Sequence, residues 1–192
     1  MSRLLVGACS LSLAVSVGCA TQKAPAELSA KSLGDAVAAA KPEIEKFAAG
    51  QWAPINDGIA AVQKKLTDGD YAGVLADVPA LTTQLSAASQ AAAAKKAELT
   101  DTWAASATMP ALVGQVSARL TELSAMRRLP VGMDKSKLDD AKASLESVNK
   151  LWADASAASQ SGDLVAAVAK ATAVKPMVTS LMSTLGIATP AA

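Results

Sequence analysis

Ser147-Val148-Asn149-Lys150 sets a lysine one helical turn from a serine, a spacing at which an amine can take the proton of an attacking hydroxyl. The motifs that accompany such a pair, Ser-Asp-Asn and Lys-Thr-Gly, do not occur in the chain, so it reads as an exposed helix face. Asp68-x-Asp70-x-x-Gly73 opens like a calcium loop. Ala72 and Pro79, however, occupy the positions that need an oxygen ligand and a bidentate glutamate, which leaves a solvated turn. Glu43 with Glu45, and Asp139 with Asp140, are too close in sequence to share a helix face, so neither makes an acid-base pair by itself. Histidine is absent, which removes the commonest general base and transition-metal ligand. No Gly-x-Ser-x-Gly or phosphate-cradling glycine loop occurs. No catalytic, cofactor-binding or metal-ligating residue is therefore assigned, and the chain reads as a non-enzyme.

One side chain does receive a chemical role. Arg3 precedes the apolar run Leu4 to Ala20, LLVGACSLSLAVSVGCA, which has the charged start, the apolar core of about 14 residues and the small terminal residues of a secretory leader. A membrane span needs roughly 18 to 20 apolar residues, and Gly7, Ser10, Ser12 and Ser16 dilute this run, so cleavage is the expectation. Ser16-Val17-Gly18-Cys19 resembles the lipobox of bacterial lipoproteins, whose usual form is Leu, a small or branched residue, Gly or Ala, then Cys. Ser16 departs from it, standing where Leu is usual. Val6-Gly7-Ala8-Cys9 is a rival, but a cut there would leave an apolar core of only about five residues. The resemblance implies that residues 1–18 are a signal peptide and that Cys19 becomes the first mature residue, carrying a diacylglyceryl group and an amide-linked acyl chain. Because Ala20 rather than Asp follows, it also implies attachment to the outer membrane, facing the periplasm.

The remaining composition is chemically quiet. Both cysteines lie at or before the cut, which leaves no thiol for disulfides, metals or redox chemistry. Lys plus Arg is 18 and Asp plus Glu is 17, and Arg3 leaves with the leader. That balance offers nucleic acid no basic face, and three Trp, one Tyr and one Phe are too few for base stacking.

These residues must be positioned by helices, because no alternating strand pattern competes. Residues 19–31 are small and polar and read as a flexible, lipid-anchored tether. Ser32-Leu33-Gly34-Asp35 then has the spacing of a helix start, and residues 32–187 read as a single all-helical domain, before a disordered tail at 188–192. Stripes recur at Leu33, Val37, Ile44 and Phe47; at Ile55, Ile59, Val62 and Leu66; and at Tyr71, Val74, Leu75, Val78, Leu81 and Leu85. Further stripes follow Pro110, Ser136 and Asp163. Gly50, Asp68-Gly69-Asp70, Leu129 to Asp134 and Ser161-Gly162-Asp163 read as breaks, while Pro42, Pro79 and Pro176 read as bends or new starts. The fold class is all-α, an antiparallel bundle of five to seven helices.

A shift of 93 residues lays Gly69-Asp70 on Gly162-Asp163, and Tyr71, Val78 and Leu85 on Leu164, Ala171 and Val178, with few identities. The helix-Gly-Asp-helix pattern looks like the hairpins of tetratricopeptide-type repeats, but their period of about 34 residues is missing. Degenerate hairpin repeats and ordinary bundle periodicity both remain open. Trp152 lies on a stripe and reads as core, whereas Trp52 and Trp103 fall near helix connections as candidate partner contacts. Lys95-Lys96 and Arg127-Arg128 are short basic pairs that read mainly as solvated helix surface, with contact to lipid headgroups or an acidic partner as the alternative. The expected function is that of a membrane-tethered periplasmic lipoprotein acting as a protein-binding or scaffold module of the envelope. Two alternatives are a carrier of a small hydrophobic ligand between helices and an enzyme using only Ser, Lys and carboxylates.

Overall fold

The computed structural model of the chain describes residues 18–188; the leader ahead of Gly18, the side chain of Cys19 and all but the first residue of the tail lie outside that description. The ordered elements are α1 (Gly18–Phe47), α2 (Trp52–Asp68), α3 (Tyr71–Ala105), α4 (Met109–Ala125), α5 (Lys135–Gln160) and α6 (Leu164–Thr184). Single 3₁₀ turns at Ala49–Gln51 and Ser106–Thr108 join two of the pairs. No strand occurs among the described residues, and the chain is an all-α helical bundle.

It divides into two compact units, Met1–Ala93 and Ala94–Ala192, where the sequence alone suggests one domain. The division falls inside α3, so one continuous helix contributes its first part to unit 1 and its last part to unit 2.

In unit 1, α1 supplies Ala26, Leu33, Val37 and Ile44 to a core completed by Ile55 and Val62 of α2 and by Val74, Leu81, Leu85, Ala88 and Ala92 of α3. This corrects the expected tether. Residues 22–31 are helical and Ala26 is fully buried. Alanine, the strongest helix former, recurs at positions 20, 24, 26 and 30, and its small side chain lets a neighbouring helix approach. Ser32 is accordingly inside α1 rather than at its start, and Pro42 also lies within it instead of opening a new helix. At Gly58 of α2 the Leu81 side chain of α3 packs closely enough that a methyl group would overlap it.

Unit 2 has its own core, built from Met109, Val116, Leu120 and Leu123 of α4, Leu138, Ala141 and Val148 of α5, and Val174, Val178, Leu181 and Met182 of α6. The start of α5 is set by Asp134, whose Oδ1 accepts from the Lys137 backbone N–H at 2.8 Å; the Ser136 signal lies two residues too late. Arg119 Nε donates to the Leu185 carbonyl at 3.4 Å, beside the end of α6.

The two interhelical turns of the hairpins α2–α3 and α5–α6 are built alike. Gly69 and Gly162 have φ of +78° and +79°. The next amide reaches back to the preceding helix in each case, Asp70 N to Lys65 O at 2.9 Å and Asp163 N to Ala158 O at 2.8 Å. Each aspartate then caps the following helix, accepting from Gly73 N at 2.9 Å and from Ala166 N at 3.2 Å.

The correspondence extends into both cores. The 93-residue shift carries buried Ile55, Val62, Val74, Leu81, Leu85, Ala88 and Ala92 onto buried Val148, Ala155, Ala167, Val174, Val178, Leu181 and Leu185. A shift of 83 carries buried Ala26, Leu33 and Val37 of α1 onto buried Met109, Val116 and Leu120 of α4. At the close approach the sizes trade, Gly58 and Leu81 in unit 1 against Leu151 and Val174 in unit 2. What recurs is a three-helix packing register, with ten additional residues in unit 2 between Leu123 and Val148.

Candidate functional site

The catalytic candidates weighed from sequence have ordinary surroundings. Ser147 is exposed and donates its hydroxyl to the Ala143 carbonyl at 3.1 Å, within its own helix. Lys150 is also exposed. The carboxylates of the calcium-like stretch are already engaged: Asp68 pairs with Lys64 at 2.6 Å, and Asp70 caps α3. Glu45 lies 3.7 Å from Lys41, and Asp139 lies 3.6 Å from Lys142. Among the described residues there is no cluster of three or more potential metal ligands.

No polar or charged side chain is buried among the described residues. Titration is perturbed mildly and at the surface. Hydrogen bonds to Asp35 and Asp77 raise the pKa values of Lys31 and Lys65 above the ordinary lysine value. The Lys65 Nζ–Asp77 Oδ2 contact, at 2.7 Å, also clasps α2 to α3.

The aromatic residues are the distinctive groups. Trp103, near the end of α3, stacks on Trp152 of α5 with ring centroids 5.6 Å apart and planes 11° from parallel. Both rings are half-buried, so Trp152 is less enclosed than its stripe position suggests. The Ser106 hydroxyl donates to the Trp103 carbonyl at 2.6 Å where α3 tightens into the 3₁₀ turn. Trp52, also half-buried, begins α2 in the other unit and has the Lys41 ammonium 5.3 Å from its ring centroid, a cation–π contact. The two candidate contact residues thus belong to different units.

Sequence reading missed a groove of about 500 Å³ along α5 and α6. Its apolar lining is Ala141, Pro176, Met177 and Leu181, and its polar groups come from Lys137, Asp140, Ser144, Ser180 and Thr184. Thr172, Lys175, Thr179 and Ser183 continue the hydroxyl-bearing surface of α6 beyond it. These residues share no motif and meet only because α5 and α6 pair. α6 is the one described helix long and apolar enough to cross a bilayer, but Val174, Val178, Leu181 and Met182 bury its stripe in the core of unit 2.

The connection between α4 and α5 presents the other notable surface. Arg127 and Arg128 are exposed and make no hydrogen bond or ion pair among the described residues, and Val131 is fully exposed. They follow the end of α4 rather than forming its last turn. No known protein family, curated protein or solved structure matches the chain.

Proposed function

We propose that the chain is a lipid-anchored helical module of the cell envelope, attached through Cys19 to the outer membrane and working in the periplasm by contact rather than catalysis. The observation that carries this reading is the leader that closes on Ser16-Val17-Gly18-Cys19. In this reading the acylated residue heads α1. Ala26, seven residues on, already belongs to the core, about 10 Å along the helix axis at 1.5 Å per residue. The folded part then stands on a short helical post close to the lipid, not on a long flexible leash.

The contact role draws support from the side chains. Acid-base sites depend on desolvated titratable groups, and the described residues bury none. A carrier needs an enclosed apolar cavity, whereas the groove along α5 and α6 is open and bordered by Lys137, Asp140 and hydroxyls. Such a surface suits a protein partner in the envelope better than a stored hydrophobe. Metabolic labelling with a tagged fatty acid tests the attachment: the native chain should take up label and fractionate with the outer membrane, and Cys19→Ser should lose both properties. Unchanged fractionation of the serine variant would overturn the assignment. Crosslinking in intact cells tests the contact role, with a reproducible envelope protein as the expected product and no adduct as the opposing result.

A further inference from the structure

We infer that the α4–α5 connection, residues 126–134, is a second membrane-contacting element that docks onto anionic phospholipid headgroups, with Val131 entering the interface between Arg127 and Arg128 on one side and Lys135 on the other. Two of the four exposed large hydrophobic side chains among the described residues, Met126 and Val131, lie in this one connection. Its exposure is built in. Leu129 and Met133 pack against the core of unit 2 as two feet, and Met133 N donates to Pro130 O at 3.1 Å to close a turn. Gly132 takes φ of +90° at the third position of that turn, where a type II turn requires glycine, which leaves Val131 at the second position facing solvent. Lys137 Nζ braces the turn from α5 by donating to the Gly132 carbonyl at 2.8 Å.

The charge around the tip is unbalanced. Arg127, Arg128 and Lys135 are exposed and make no ion pair or hydrogen bond among the described residues. Residues 126–135 carry three cations, Arg127, Arg128 and Lys135, against one carboxylate, Asp134, which keeps its charge while capping α5; Glu122 is paired with Arg119 at 3.0 Å and Asp139 with Lys142 at 3.6 Å. These features lie within the stretch where unit 2 has ten residues without a counterpart in unit 1. A three-helix packing register does not require them.

Exposed cations flanking a small apolar tip in sequence match an anionic bilayer surface, which accepts shallow insertion and pairs phosphate groups with guanidinium. A protein interface would call for a larger apolar patch with aromatic anchors, and this connection contains none. The inference deepens the proposed membrane attachment and relies on it only for bringing the loop near lipid.

The test uses the mature chain, residues 19–192, carrying Cys19→Ser and Val131→Cys, with bimane on the one remaining thiol. Vesicles of phosphatidylglycerol should shift the bimane emission to the blue, and vesicles of phosphatidylcholine should not. Adding Arg127→Gln and Arg128→Gln should raise the phosphatidylglycerol needed roughly thirtyfold, about fivefold for each cation near an anionic surface. No shift with phosphatidylglycerol, an equal shift with phosphatidylcholine, or indifference to the arginine substitutions would overturn the inference. So would a response to soluble polyglutamate but not to vesicles, which would assign the loop to an acidic protein. Because position 19 is serine throughout, failure here leaves acylation of Cys19 untouched, and failure of fatty-acid labelling leaves this result untouched.

Discussion

Trp103 and Trp152 lie face to face, 5.6 Å between centroids and 11° from parallel, and so join the end of α3 to α5 within unit 2. Both indoles are half-buried, and the stack covers one face of each. Replacing either Trp by Ala should lower stability by about 2 kcal/mol from lost burial and stacking. A double-mutant cycle followed by denaturant unfolding should show a coupling of about 1 kcal/mol. Strictly additive losses would mean that the rings lie near each other without stabilising one another.

The helical start of α1 makes a sharper demand. Ala26 is fully buried whereas Ala24, two residues earlier, is exposed. Ala26→Asp should destabilise unit 1 by about 3 kcal/mol, because the carboxylate would enter an apolar core without a partner. Ala24→Asp should change stability by less than about 0.5 kcal/mol. A flexible tether would tolerate both equally, so equal melting curves would contradict the helical assignment.

That contrast shows where the sequence was legible and where it was not. Large apolar residues at helical spacing announced α2, α5 and α6, and Gly69 and Gly162 announced their turns, because a left-handed backbone favours glycine. The start of α1 was hidden. Its core-facing residue is an alanine, which carries too little apolar area to mark a stripe, and Ser32-x-x-Asp35 imitates a cap that the folded chain does not use. The division inside α3 was hidden for a related reason: the alanine-rich run from Ala87 to Leu99 continues the helix while the packing partners change around it. No local pattern reports that change. The Trp stack and the groove of Lys137, Ser144 and Ser180 depend on which helices pair, a tertiary fact. The exposed loop was legible as a loop, but the outward direction of Val131 follows from the feet at Leu129 and Met133.

The repeated turn geometry predicts repeated energetics. Gly69→Ala and Gly162→Ala each force a Cβ into a left-handed residue and should cost about 1 kcal/mol. Asp70→Ala and Asp163→Ala each remove a side-chain cap and should also cost about 1 kcal/mol. Chemical unfolding monitored by circular dichroism checks all four. Matched losses at positions 93 apart would support a shared packing register, and a negligible loss at one member of a pair would break the equivalence.

The clasp between Lys65 and Asp77 predicts a pH dependence of definite sign. A hydrogen bond from the ammonium to the carboxylate, 2.7 Å long, is the main reason the Lys65 pKa is raised above its ordinary 10.5. Folding therefore holds the Lys65 proton more tightly than the unfolded chain does. The clasp's contribution is fully present below pH 10.5 and is lost as pH rises through the raised value, so alkaline solution should weaken unit 1. Asp77→Asn keeps the shape but removes the charge, and should bring the Lys65 titration, followed by NMR of its side chain, back toward 10.5. The same substitution should remove this group's part of the alkaline loss while leaving that of Lys31, whose partner is Asp35. A Lys65 titration unaffected by Asp77→Asn would show that the ammonium is solvated in solution and that α2 and α3 are held by Ile55, Val62, Val74 and Leu81 without the clasp.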